Sequence, residues 1–161
     1  MIIFLNGSIN AGKTTVAKIL AEKIDKLALV EVDVLRAMIP WVPINEAVLI
    51  NLENAVSITR NLAMKGHNVL VVYPLLKRNY EYVLYSLADL HTPMHFFTLS
   101  PRLEVALTNR GTRELDEKEK ERIKYHYDVG IPTPSFGEII DNSEQTGEET
   151  ARIILDKLKI R

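Results

Sequence analysis

The sequence predicts an α/β fold, a five-stranded parallel sheet flanked by helices in three layers. Two features carry that expectation. Short apolar runs rich in β-branched residues alternate with longer segments of helical period, the signature of crossover connections. The runs are also nearly continuous in apolar residues, as strands buried on both faces require. At 161 residues the chain is one domain's worth, 1–161.

Taken in order, Ile2 to Leu5 is the first strand. It lacks a charged leader and runs into a turn at Asn6-Gly7, so it reads as a strand and not as a signal peptide. Lys13 to Ile24 follows as a helix with Ala17, Leu20 and Ile24 on one side. Leu27 to Val32 is the second strand and Val34 to Ile39 a short helix. Glu46 to Lys65 sets Leu49, Leu52, Val56 and Leu62 at helical spacing and stops at Gly66. Asn68 to Tyr73 is the third strand, and Tyr80, Tyr82 and Tyr85 lie on the helix after it, where they read as packing. His95 to Leu99 and Glu138 to Asp141 complete the sheet. The charge-dense Glu114 to Lys124 mixes both signs and reads as a solvated helix face. Thr146 with Glu149 forms a capping box for a last helix presenting Ala151, Ile154, Leu155 and Leu158.

Composition removes several classes of function. With 47% hydrophobic and 25% charged residues the chain can bury a core without staples, and with no cysteine it has no thiol catalysis, disulfides or thiolate metal sites. Twenty Lys and Arg against twenty-one Asp and Glu leave a net charge of −1, which argues against nucleic acid or a membrane surface as partner. The longest apolar stretch, Val69 to Leu76, is too short to span a bilayer, so the expectation is a soluble, cytoplasmic protein.

The strongest motif is Gly7-Ser8-Ile9-Asn10-Ala11-Gly12-Lys13-Thr14, a GxxxxGK[ST] phosphate loop between the first strand and the first helix. Gly7 and Gly12 allow backbone approaches that a side chain would block, so successive N–H groups can face phosphate oxygens. The helix N-terminus adds its positive end, Lys13 reaches the β- and γ-phosphates, and the Thr14 hydroxyl, followed by Thr15, is placed to ligate Mg²⁺. The expectation becomes a three-layer P-loop NTPase fold binding a nucleoside triphosphate.

Neither D-x-x-G nor N-K-x-D occurs, which disfavours a GTPase switch. Val32-Asp33 instead ends the second strand with Arg36 one helical turn on. Ligands of open parallel sheets bind outside the carboxyl ends of the strands, so Asp33 is a candidate base for an acceptor hydroxyl. Its alternative role is to cap the following helix.

These residues resemble the small P-loop kinases, chloramphenicol phosphotransferase most closely. Asn6-Gly7 with Ala11-Gly12-Lys13, Val32-Asp33 with Ala37-Met38, Arg110-Gly111-Thr112-Arg113, and Asp141-Asn142-Ser143 with Glu148 and Ala151 match that family's segments in order. Shikimate, gluconate and adenylylsulfate kinases share the same plan. The resemblance implies ATP as donor, Asp33 as catalytic base, a lid arginine against adenine and the Asn142 to Thr146 loop along its other edge. Where the family has acidic residues after the third strand, this chain has Tyr73 and Pro74, leaving Mg²⁺ to Thr14, the nucleotide phosphates and water.

The lid is expected over about 102–127, with Arg110 and Arg113 stabilising transferred charge unless they pair with Glu114, Asp116 or Glu117, and Arg102 a weaker candidate. On the acceptor side Arg36 suits an anionic or polar group, and Tyr73 ends a strand at the ligand edge. Trp41, between Pro40 and Pro43, either stacks on the acceptor or closes the core. The histidines are not spaced for a metal site, and His126 reads as core or surface. Two functions stay open, a kinase acting on a small-molecule hydroxyl and a nucleotide-binding regulator or slow NTPase, while a third, a kinase acting on a polynucleotide end, is disfavoured by the near-neutral charge.

Overall fold

The computed structural model describes residues 1–109 and 114–160. Five strands, β1 (Ile2–Gly7), β2 (Leu27–Glu31), β3 (Asn68–Val72), β4 (Met94–Leu99) and β5 (Glu138–Ile140), form one sheet in the order β2-β3-β1-β4-β5. Every pairing is parallel, with Leu5 beside Val72 on one flank and Phe97 on the other. The central β1 is buried along its whole length, which explains its unbroken apolar run.

Among the described residues seven α-helices accompany the strands, six between them and one after the last: α1 (Lys13–Lys23), α2 (Val32–Arg36), α3 (Ile44–Met64), α4 (Lys77–Leu87), α5 (Leu103–Ala106), α6 (Glu117–Asp128) and α7 (Gly147–Lys157). Successive strand residues feed opposite cores. Ile3, Leu5, Leu70 and Phe97 pack with Val16 and Leu20 of α1 and Ile154 of α7. Ile2, Phe4, Val69 and Phe96 pack with Leu52 and Val56 of α3 and Val83 of α4. These are the three layers expected. The predicted cap holds, since Thr146 and Glu149 make a capping box on α7, and the structure adds a second on α6 from Asp116 and Glu119.

Four local expectations are corrected. The helix after β2 begins at Val32 with Glu31 at its N-cap position, so Asp33 lies inside the first turn and is not its cap. On α3 the buried stripe is Ala47, Asn51, Leu52, Ala55, Val56 and Thr59, while Leu49 is exposed. The helix is rotated so that two polar residues join the inner face. On α4, Tyr80 stacks on Phe136 as packing predicts, but Tyr85 is 87% exposed. The last strand stops at Ile140, since the Asp141 carboxylate turns to accept from the Ser143 N–H at 2.9 Å. Among the described residues no helix is long and apolar enough to cross a membrane.

Candidate active site

The phosphate loop leaves β1 at Gly7, whose φ of 143° only glycine adopts readily, and a Cβ there would stand 2.7 Å from the Leu99 carbonyl oxygen. Gly12, at φ 92°, occupies the N-cap position of α1. Between them the loop is tied at several points. Asn10 donates through Nδ2 to the carbonyls of Ala106 and Thr108, both at 2.9 Å, and Asn142 donates through Nδ2 to the Ala11 carbonyl at 2.9 Å. Lys13 Nζ donates to the Gly7 and Ser8 carbonyls at 3.0 and 2.7 Å, folding its ammonium over the loop. Gly7, Ser8 and Ala11 are buried and build the loop from beneath.

A cavity of about 1040 Å³ opens beside this loop at the carboxyl ends of the strands. It is lined at one end by Ile9, Asn10, Gly12, Lys13, Thr14, Thr15, Asn142 and Gln145, and at the other by Glu31, Asp33, Arg36, Tyr73 and Arg78. The expected phosphate grip and the expected base therefore face one space. Burial raises the Tyr73 pKa first of all, the Asp33 carboxylate adds to this, and the Arg122 guanidinium opposes it. Tyr73 thus feels both charged groups from its place on the cavity wall.

Arg36 lines the cavity, but its guanidinium is occupied by the carbonyls of Ile39 and, at 2.7 Å, Val42. This clamp closes the turn after α2 and leaves Trp41, within it, at the surface. Trp41 is 77% exposed and not among the lining residues, so it neither stacks in the cavity nor closes the core. Arg102 is held by Glu104 and Glu144 away from the lining. Arg110 and Arg113 lie outside the described residues.

Several lining residues carried no functional expectation. Arg122, Tyr125 and His126 come from α6, and His126 Nδ1 stands 3.2 Å from the Ser8 hydroxyl. Burial, with Arg122 and Lys13 nearby, lowers the His126 pKa to about 4, so the ring is neutral at ordinary pH. Glu31, next to Val32-Asp33 at the same strand end, was within reach of the argument that found Asp33. Asn51 and Asn79 line the cavity too, as does Gln145 on the loop expected beside the base, and the Oδ1 of Asn51, the Oδ1 of Asn142 and the Oε1 of Gln145 are buried without a hydrogen-bond partner. Such orphaned acceptors are costly unless something supplies a donor.

No protein-family model and no curated protein sequence matches the chain. Solved structures do match over nearly its whole length. A sugar kinase from Janibacter sp. HTCC2649 aligns with 99% of this chain and 94% of its own at 20% identity and a TM-score of 0.71. The APS kinase of Mycobacterium tuberculosis, solved with AMPPNP and APS, aligns over 98% and 96% at 19% identity and a TM-score of 0.69. Shikimate kinase from Aquifex aeolicus vf5 aligns over 99% and 96% at 17% identity and a TM-score of 0.62. At these identities the likeness is one of fold, and the chain has the three-layer P-loop fold that these kinases share.

Proposed function

We propose that this chain is an ATP-dependent phosphotransferase that moves the γ-phosphoryl group to a hydroxyl of a small molecule. The observation that carries the reading is the single cavity that joins the phosphate loop to Asp33. Main-chain amides of the loop and the α1 N-terminus hold the donor's phosphates, with Lys13 swinging from the loop carbonyls onto the β- and γ-oxygens. The acceptor enters beside Asp33, which orients its hydroxyl and takes its proton as the O–P bond forms and ADP leaves. Arg122, with Arg110 and Arg113 as further candidates, neutralises charge on the transferring group. At the far end the orphaned oxygens of Asn142 and Gln145 suit the amino group of a base.

The donor set fits Mg²⁺. The Thr14 hydroxyl is a hard oxygen ligand on the cavity, with the nucleotide phosphates and water to complete the shell, and among the described residues no cluster of three acidic, His or Cys side chains forms a separate cage. When bound, the ion would offset phosphate charge while Thr14 holds it against the nucleotide.

The test is ADP release from ATP with and without hydroxylated acceptors. Release stimulated by an acceptor, and lost on Asp33→Asn, is expected. Release that ignores every alcohol offered would leave the slow-NTPase reading in its place.

A further inference from the structure

We infer that His126 binds the donor nucleotide, its Nε2–H donating to an oxygen of the terminal phosphoryl group. This rests on the donor half of the reading above and is independent of the acceptor. Arg122, Tyr125 and His126 bring α6 to the cavity wall, and His126 also touches the phosphate loop, with Nδ1 3.2 Å from the Ser8 hydroxyl.

The ring is anchored twice to the end of β1. Its side chain meets Ser8, which is buried. Its main-chain carbonyl accepts from the Ile131 N–H at 3.0 Å, and the Ile131 carbonyl accepts in turn from Asn6 Nδ2 at 3.2 Å. Asn6 and Ser8 flank Gly7, the first glycine of the loop, so the imidazole is fixed relative to the phosphate grip before a nucleotide arrives. A donor fixed in this way needs no reorganisation when it meets charge. The Ser8 hydroxyl can donate to Nδ1, which leaves the ring proton on Nε2, the nitrogen that remains for the cavity.

The surroundings of the ring are those of an anion site. The charges that act on it are both positive, Arg122 from its own helix and Lys13 from α1, and among the described residues no carboxylate acts on it beside them. Tyr125, the other titratable side chain next to it, has its ring centre 6.2 Å away. Arg122 also acts on Tyr73, which lines the cavity with Asp33, while Lys13 belongs to the loop. The terminal phosphoryl group is the part of the donor that must meet both sets of residues. Its negative charge offsets the two cations, so its arrival raises the His126 pKa from about 4.

The experiment follows the His126 ring of the full chain by NMR from about pH 5 to 8, free, with ADP and with AMPPNP, Mg²⁺ being present throughout. The AMPPNP complex should titrate about one pH unit or more above the ADP complex, with Nε2 protonated. Equal midpoints in the two complexes, or an Nε2 without its proton when AMPPNP is bound, overturn the inference. Affinities give a second readout. His126→Asn keeps an amide near Ser8 but places nothing at Nε2, whereas His126→Gln reaches that position. The asparagine variant should bind AMPPNP about tenfold more weakly and ADP less than about twofold more weakly, and the glutamine variant should regain part of the loss. Equal losses for both nucleotides in both variants, with a lowered Tm, would make His126 a structural residue and overturn the inference. A ring that responds to AMPPNP in a chain that phosphorylates no alcohol supports it while the transfer reading fails. A chain that binds neither nucleotide overturns both.

Discussion

His126 Nδ1 and Ser8 Oγ stand 3.2 Å apart, joining α6 to the second residue of the phosphate loop. The contact spans 118 positions of sequence and is buried. Ile9, the next loop residue, packs against the small core of Ala106, Leu115 and Ile123, so the phosphate loop and the α5–α6 region share both an apolar and a polar seam. Neutral histidine suits this place, because a protonated ring would sit near Lys13 and Arg122.

Acid should therefore destabilise the fold through His126. Its folded pKa of about 4 lies below the unfolded value, so the unfolded chain binds the extra proton. The ring's effect is absent above about pH 7, and stability falls as pH drops through the window from about 6.5 to 4. On the order of 1–2 kcal/mol is expected at pH 5. Unfolding midpoints measured at pH 7.5, 6 and 5 should fall more steeply for the wild type than for His126→Asn. Parallel curves would show that the ring does not carry the effect.

Gly7→Ala should destabilise the chain by about 2–4 kcal/mol. The added methyl meets a main-chain oxygen, Leu99 O at 2.7 Å, in a strand paired to β1, and neither side can rotate away. Urea denaturation reads this directly. Gly66→Ala is the control: its φ of 83° is also left-handed but nothing lies within 4 Å, so its loss should be smaller.

Asp33→Asn should lower kcat by about 10²–10⁴ with the KM for ATP unchanged, because a base acts when the proton moves. The neighbouring phenol is a second readout. With the Asp33 charge removed, the raised pKa of Tyr73 should drop back toward its ordinary value, visible in an ultraviolet titration. An unaltered Tyr73 titration would mean that the two groups do not share the cavity as described.

What the sequence made legible was local. The phosphate loop is eight consecutive residues, and the strand before it and helix after it follow from adjacent patterning. Asp33 could be placed on the cavity because a strand end is recognisable and strand ends border the crevice of an open parallel sheet. Trp41 was misplaced because aromatic residues on loops suggest stacking, whereas the Arg36 clamp on the Ile39 and Val42 carbonyls decides where this turn goes. Asn51, Arg122 and His126 were missed for a common reason. Each lines a cavity assembled from separate elements, which local patterning does not reveal, and Asn51 gave only one local hint, a polar residue within a largely apolar helical face.

Arg122 lies on α6 with its guanidinium 5.2 Å from the centre of the Tyr125 ring, and its charge acts on both Tyr73 and His126. That places a delocalised cation on the wall of the cavity that Asp33 and Lys13 also line. A group there can meet charge that develops on the transferring phosphoryl oxygens, so Arg122→Ala should reduce kcat by about 10²–10³. Arg122→Lys keeps the charge but loses the planar fork, and should recover only part of the rate. If instead Arg122 serves α6 alone, by resting on Tyr125, the alanine variant will show a lowered unfolding midpoint and an unchanged kcat. Single-turnover kinetics with ATP and a saturating acceptor separates these outcomes, because it reads the transfer step before ADP release.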